Sequence, residues 1–189
     1  LIRRILRHMP DVEHFYFNPR SEIKGADRTK GLIVITGDKG LAGAYNHNVL
    51  KMAQEWMEQG DNHRLYVVGE LGRHYFASKH IPVEEQFHYT VQNPTMHRAR
   101  LISSTVLEDY EQGQLDEVWI LYTQMINSMK MEAEIVQLLP LKREDFSNIV
   151  IPPDIIQEEI QMVPSPSAVM DNVVPNYVTG FIFGALVES

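Results

Sequence analysis

Residues 31–57 read GLIVITGDKGLAGAYNHNVLKMAQEWM. Leu32-Ile33-Val34-Ile35 is apolar at every position. A strand covered on one face alternates, so a continuous β-branched run predicts a central strand covered on both. A turn with Gly37, Gly40 and Gly43 follows. Glycine tolerates positive φ and lets another backbone approach closely. Val49, Leu50, Ala53, Trp56 and Met57 then share one helical face, and Gly60 stands where a C-terminal cap belongs. Strand, glycine turn and helix make the first half of a doubly wound α/β domain.

Such a turn invites a nucleotide-binding reading, and its details resist one. A dinucleotide fingerprint needs G-x-G-x-x-G, yet Asp38 and Lys39 stand between Gly37 and Gly40. A P-loop needs Gly-Lys followed by Ser or Thr, and no such pair follows these glycines. Asp38 would also set a negative charge against a phosphate. The glycines are expected to permit a tight strand-to-helix crossing and nothing more.

Composition narrows the classes further. The chain has 189 residues, enough for one domain with a sizeable core. It is 44% hydrophobic and 22% charged, an ordinary globular balance. Its formal net charge is −8 and its pI about 5.4, and no basic patch invites nucleic acid. There is no cysteine, hence no disulfide, thiol nucleophile or thiolate metal site. No apolar run approaches the ~20 residues that cross a bilayer, and no signal peptide is visible. The first residue is Leu1, and Ser189 ends an apolar periodic segment without a capping residue. The expectation is an excised fragment.

ITGDKGLAGAYNHNVLK, residues 35–51, resembles the signature of the gamma subunit of F-type ATP synthases. That family reads isoleucine-threonine-serine-aspartate, a basic residue, glycine-leucine, a small residue, two glycines, an aromatic and asparagine. This chain departs at Gly37, Ala42 and Ala44, all swaps among small residues that keep the turn geometry. The ending VPNYVTGFIFGALVES also resembles the family, in which a proline-x-proline segment precedes a leucine-rich helix. The resemblance runs from about Thr29 to Ser189, and its middle matches mainly by order of elements. The missing cysteines exclude the dithiol switch of some plant relatives.

Along the chain, Leu1 to His8 reads as the last turns of a helix stopped by Pro10, with Arg3, Arg4 and Arg7 on a solvated face. Asp11 to Lys30 reads as an irregular connection. Leu65–Val68 is the second strand, followed by a helix from Glu70 to about Lys79 with Leu71, Tyr75 and Phe76 inward. Val83 to Val91 partly alternates and is expected as an edge strand. Asn93 is expected to cap a helix with Pro94 at its first position. Met96, Ala99, Ser103, Val106 and Tyr110 form its stripe, and Gly113 ends it. Val118–Tyr122 and Glu132–Leu139 are expected as an antiparallel pair, a hairpin with a long loop that holds a turn at Asn127-Ser128. After Pro164-Ser165-Pro166, with Ser167 as a cap, helical spacing returns through Leu186. Pro175 should kink that helix or start a new one, and its wide apolar face calls for a helical partner, inside the chain or outside it.

The fold class expected is α/β, a Rossmann-like mixed β-sheet with helices on both faces, plus truncated terminal helices. The division expected is residues 1–28 as the end of an N-terminal helix and its connection, 29–150 as the globular domain, and 151–189 as linker and start of the C-terminal helix. The eight histidines show no H-E-x-x-H pair, and His74 and His80 lack a cysteine partner. Ser103 and Ser104 sit in no nucleophile elbow. The adjacent pairs Glu84-Glu85 and Glu158-Glu159 need not share a proton, and Glu132 with Glu134 suits a solvated edge. Tyr45 and Asn46 are expected in packing and capping. No catalytic, cofactor or metal residue is expected.

The resemblance implies a non-catalytic rotor component of the central stalk, coupling ion-driven ring rotation to ATP synthesis elsewhere. It implies as partners the epsilon subunit, the membrane rotor ring and the alpha/beta catalytic hexamer, the last through a coiled coil largely missing here. It implies a place peripheral to the energy-transducing membrane, at the cytoplasmic face of a bacterial cell membrane. Ile160, Gln161 and Met162, just before Pro164, are the expected partner contacts. Self-association through Tyr177, Phe181 and Phe183 is a further expectation. The alternative is a small Rossmann-like nucleotide-binding protein or enzyme, which a complete phosphate fingerprint would favour.

Overall fold

A computed structural model describes Tyr16 and residues 28–38, 43–59, 62–141 and 166–189. Chain order is β1 (Thr29–Ile35), α1 (Gly43–Met57), β2 (Asn62–Val68), α2 (Glu70–Ser78), α3 (Met96–Glu111), β3 (Glu117–Asn127), β4 (Lys130–Leu139) and α4 (Pro166–Glu188). The sheet order is β2-β1-β3-β4. β1 pairs in parallel with β2 and β3, and β4 returns antiparallel to β3. The mixed α/β sheet is therefore the one expected, with β1 in the interior.

Alternation across β1 builds two cores. Leu32 and Val34 face one apolar cluster with Leu65, Val67, Val49, Ala53 and Trp56. Ile33 and Ile35 face the other, with Val68, Ile120, Ile102, Val106 and the α4 side chains. Period-2 alternation of side chains in a fully buried strand makes all four residues apolar.

α4 supplies Met170, Val174, Val178, Ile182, Ala185 and Leu186 to the second core, at spacings that keep one stripe inward. Truncating any one large member to alanine costs about 2–5 kcal/mol in a typical core. Among the described residues α3 packs along α4 and covers this stripe. α4 continues through Pro175, so the proline starts no new helix. Tyr177, Phe181 and Phe183 are half-buried against the same core.

Three other local expectations shift. Residues 83–91 form no strand. They run beside β2, which is itself the edge, and touch it through one parallel bridge, Val68 to Tyr89. Glu84 N–H donates to Leu65 O, and Gly69 N–H donates to Tyr89 O, both at 2.9 Å. The cap of α3 is Thr95, whose Oγ1 accepts from Arg98 N–H at 3.1 Å, while Asn93 takes a positive φ of 50°. Asparagine tolerates that region, so the residue makes the turn instead of the cap. The β3–β4 connection turns at Ser128-Met129, one residue from the expected turn, and the strands run right up to it in place of a long loop. The first helix expected at Leu1 to His8 lies outside the described residues.

Candidate functional site

The carboxyl end of β1 is where a doubly wound sheet receives an anion, so it is the first place to search for chemistry. After Ile35 the chain reads Thr36-Gly37-Asp38, and each of these residues captures part of α2. Thr36 Oγ1 donates to Val68 O at 2.8 Å and accepts from Gly72 N–H at 3.0 Å. Gly37 O accepts from Leu71 N–H at 3.1 Å. Asp38 Oδ1 accepts from Glu70 N–H at 3.1 Å. Its Oδ2 accepts from Val91 and Gln92 N–H at 3.1 and 3.3 Å. The N–H groups of Glu70, Leu71 and Gly72, which would greet a phosphate at this helix, are thus all taken by the protein itself.

The approach is close enough to dictate glycine at two positions. Gly69 has φ +96°, and a Cβ there would lie 2.1 Å from Thr36 O. A Cβ on Gly72 would lie 2.8 Å from Thr36 Oγ1 and from Val67 Cγ1. Asn46 Oδ1 accepts from Gly37 N–H at 2.8 Å, tying the start of α1 to the same knot. Its expected capping role therefore takes the form of a tie across the turn. The side chain of Tyr45 lies outside the described residues.

The opposite end of the sheet is held by polar links to buried tyrosines. Tyr16 O–H donates to Glu111 Oε1 at 2.5 Å, and its ring stacks on Tyr110. Leu141 N–H donates to Tyr16 O at 2.6 Å. Tyr66 O–H donates to Asp109 Oδ2 at 2.5 Å, and Arg64 lies 2.9 Å from Glu84 and 3.6 Å from Asp109. Burial, then the hydrogen bond to a carboxylate, pushes both phenols well above the ordinary tyrosine range. These are neutral donors locked in place, not acids poised for proton transfer.

The remaining candidates stay apart. His74 is exposed and 3.9 Å from Glu70, while His80 follows the end of α2 at φ 58°. Glu132 is paired with Lys130 at 2.9 Å. Ser103 is buried in α3 without a hydrogen-bond partner among the described residues, and Ser104 is exposed. A groove between α1 and α2, about 470 Å³, is lined by His47, His74, Leu50 and Tyr75, yet it opens widely to solvent. Among the described residues no three metal-binding side chains gather. Ile160, Gln161 and Met162 lie outside the described residues.

A family model described as ATP synthase matches residues 1–189. The ATP synthase gamma chain of Ruminiclostridium cellulolyticum is 40% identical over 195 residues, covering 100% of this chain and 64% of the relative. The chain belongs to the ATP synthase gamma family. The gamma chain of Caldanaerobacter subterraneus subsp. tengcongensis is 37% identical, covering 100% of this chain and 66% of its own length. The chain thus spans less than two thirds of the gamma chains it matches. The central stalk and c-ring structure of the Tetrahymena thermophila mitochondrial ATP synthase aligns at a TM-score of 0.66 and 16% identity. That alignment covers 100% of this chain and 79% of its counterpart, and it shows the fold. Gamma-family membership agrees with a β1 end at which Asp38 takes the first N–H group of α2 for the protein itself.

The sequence shows the turn, and there Asp38 reads as a charge that repels phosphate. What Asp38 holds is hidden, because its partners lie 32 to 54 residues away. An aspartate just after a buried strand, before a glycine turn, is the available signal.

Proposed function

We propose that this chain is the globular part of a central-stalk rotor subunit of F-type ATP synthase, non-catalytic in itself, coupling ion-driven ring rotation to ATP synthesis in the catalytic head. The observation that carries this reading is the internal closure of the β1 end together with the burial of α4. A nucleotide enzyme keeps the first position open. A torque-bearing foot gains by closing it, since each internal hydrogen bond removes a soft point. The buried stripe of α4 makes that helix one cooperative piece with the sheet, so a twist applied to it reaches the whole body.

The epsilon subunit, the membrane ring and the alpha/beta hexamer are the partners of this reading, at the surface of the energy-transducing membrane on its cytoplasmic side. No helix of the described residues is long and apolar enough to cross a membrane, which fits a peripheral place. Residues 29–150 serve as the foot and 151–189 as the link into the shaft. Ile160, Gln161 and Met162 contact epsilon, a reading supported by apolar residues set beside polar neighbours before Pro164.

The test uses the full-length protein carrying this segment, combined with alpha, beta and epsilon subunits. ATP hydrolysis by the assembly should drive ion pumping once the complex is rejoined to its membrane part, and the chain alone should hydrolyse nothing. Ile160→Asp should weaken epsilon binding in light scattering while the thermal unfolding curve stays unchanged. Nucleotide hydrolysis by the chain alone, or an assembly that forms and pumps without it, overturns the reading.

A further inference from the structure

Residues 84–92 run as a strap along the outer edge of β2, between Pro82 and Asn93. A bare edge strand invites pairing with a stray chain, and this stretch covers β2 without joining the sheet. Its backbone is tied at two points. Glu84 N–H donates to Leu65 O, and Tyr89 O accepts from Gly69 N–H, both at 2.9 Å. Its one buried side chain is Phe87, whose ring centroid lies 5.4 Å from that of Tyr66 and 4.8 Å from that of Tyr89. Glu85, Gln86, His88, Thr90 and Gln92 stand in solvent.

Polar contacts fasten the strap to α2 and to the end of β1. Arg73 of α2 donates through Nη1 to His88 Nδ1 at 2.6 Å and through Nη2 to Tyr89 O at 3.5 Å. Glu70 Oε1 steadies the same guanidinium at 3.0 Å. Asp38 Oδ2 takes the N–H groups of Val91 and Gln92. At the two ends Arg64 pairs with Glu84 at 2.9 Å, and Arg98 Nη1 donates to Gln92 O. The fastening is imperfect. Arg73 Nε is buried without a partner among the described residues, a cost that the closed form carries and a lifted form relieves.

We propose that residues 84–92 are a latched strap, which lifts from the edge of β2 as one unit while the rest of the sheet stays closed, with Arg73 as its latch. A segment held by few apolar contacts and mostly by polar, solvent-facing ones opens below the cost of global unfolding. Lifting exposes one buried ring, Phe87, whereas global unfolding must open both cores. Pro82 and the turn at Asn93, with φ 50°, bound the moving piece. Asp38 is shared between the parts. Its Oδ2 releases Val91 and Gln92, and its Oδ1 keeps Glu70, so α2 retains its first tie. The lifted state uncovers Leu65 O and Gly69 N–H, and with them the outer edge of β2.

Hydrogen exchange, read amide by amide on the full-length protein carrying this segment, tests the strap. Gly69 is the diagnostic position, because it is buried, lies outside the strap and donates to Tyr89 O. Gly69, Glu84 and Val91 should share one opening, about a hundredfold or more frequent than the opening that frees Ile33 and Ile120 in mid-sheet. Arg73→Gln should speed all three by about tenfold, although Arg73 bonds to none of their N–H groups. Ile182→Val, in the core between α4 and the sheet, should speed Ile33 and Ile120 by about fivefold and leave the three unchanged.

Exchange of Gly69 at the opening rate of Ile33 and Ile120 overturns the strap, since the β2 edge would then open only with the whole fold. Fast exchange at Val91 that leaves Gly69 and Glu84 behind also overturns it, because the segment would fray instead of lifting as a unit. So does an Arg73→Gln protein whose three amides keep the parent's rates, or an Ile182→Val protein in which they rise as much as Ile33.

Discussion

The end of β1 and the tip of the β3–β4 hairpin lie toward the same end of the sheet and treat water in opposite ways. At β1 the N–H groups that open α2 are spent inside the protein, on Asp38, Gly37 and Thr36. At the hairpin three large apolar side chains face outward. The β1 end has a functional signature in sequence and is structural. The hairpin has the sequence of an ordinary connection and is the surface left open. A glycine-rich turn signals close backbone approach, and whether a ligand or the protein fills it depends on residues far away in the chain.

The largest effect is expected at Gly69. Alanine there must adopt φ +96° and place its Cβ 2.1 Å from Thr36 O, a backbone atom that cannot swing aside. The loss should reach about 4 kcal/mol or more, enough to threaten folding. Urea unfolding of Gly69→Ala measures it. A loss below about 1 kcal/mol, near the range of surface changes, would mean that the β1 end is not tightly closed.

Asp38 comes next. Alanine leaves the N–H groups of Glu70, Val91 and Gln92 without their carboxylate. Water reaches part of this site, so the expected loss is about 2–3 kcal/mol. Asp38→Asn keeps one acceptor oxygen but turns an NH2 toward donors, and should fall about midway. Equal stability of all three proteins in urea would remove the clasp from the comparison. ATP should leave the melting temperature of the parent unchanged, since the N–H groups that open α2 are occupied.

Much of this architecture is legible in sequence, and the failures have physical causes. β1 is readable because both faces of a central strand are dry, so Leu32 through Ile35 carry no polar residue. α4 is readable from its spacing, but its partner is not. Helical periodicity says that a face is buried and not against what, and α3 covers it. Residues 83–91 alternate like a strand yet make one bridge, because pairing requires a free neighbouring ladder over several residues. Asn93-Pro94 signals a helix start truly and misplaces it by two residues, since asparagine serves turns and caps alike. The hairpin tip is invisible because methionine usually marks a core. Exposure is a property of the turn that carries it.

Tyr122 lies where the closed sheet gives way to the overhanging hairpin, and it links the two regions through pH. Desolvation, then Glu134 and Glu188, push its phenol up to about 12 from an ordinary 10. The unfolded chain therefore loses this proton first as pH rises. The stabilisation is fully present below about pH 10 and falls as pH climbs through about 10 to 12. Tyr16 and Tyr66 contribute a fall of the same sign, so the measurement is a difference. Tyr122→Phe should show a shallower decline than the parent over that window. Identical slopes would place Tyr122 in a watery setting, apart from Glu134 and Glu188.

The smallest effect on folding is expected at the tip itself. Met125→Ser, Ile126→Ser and Met129→Ser should each change stability by about 0.5 kcal/mol at most. Little buried area is lost, because these side chains already stand largely in water. The backbone ladder survives, with Met125 still opposite Met131 and Asn127 opposite Lys130. Serine costs some strand preference, which sets the small residual loss. A drop of several kcal/mol would instead make the tip a folding element. Near-neutral stability in urea, beside the losses at Gly69 and Asp38, would set the two regions apart. The β1 end would then be closed for the sake of the fold, and the hairpin tip left bare without cost to it.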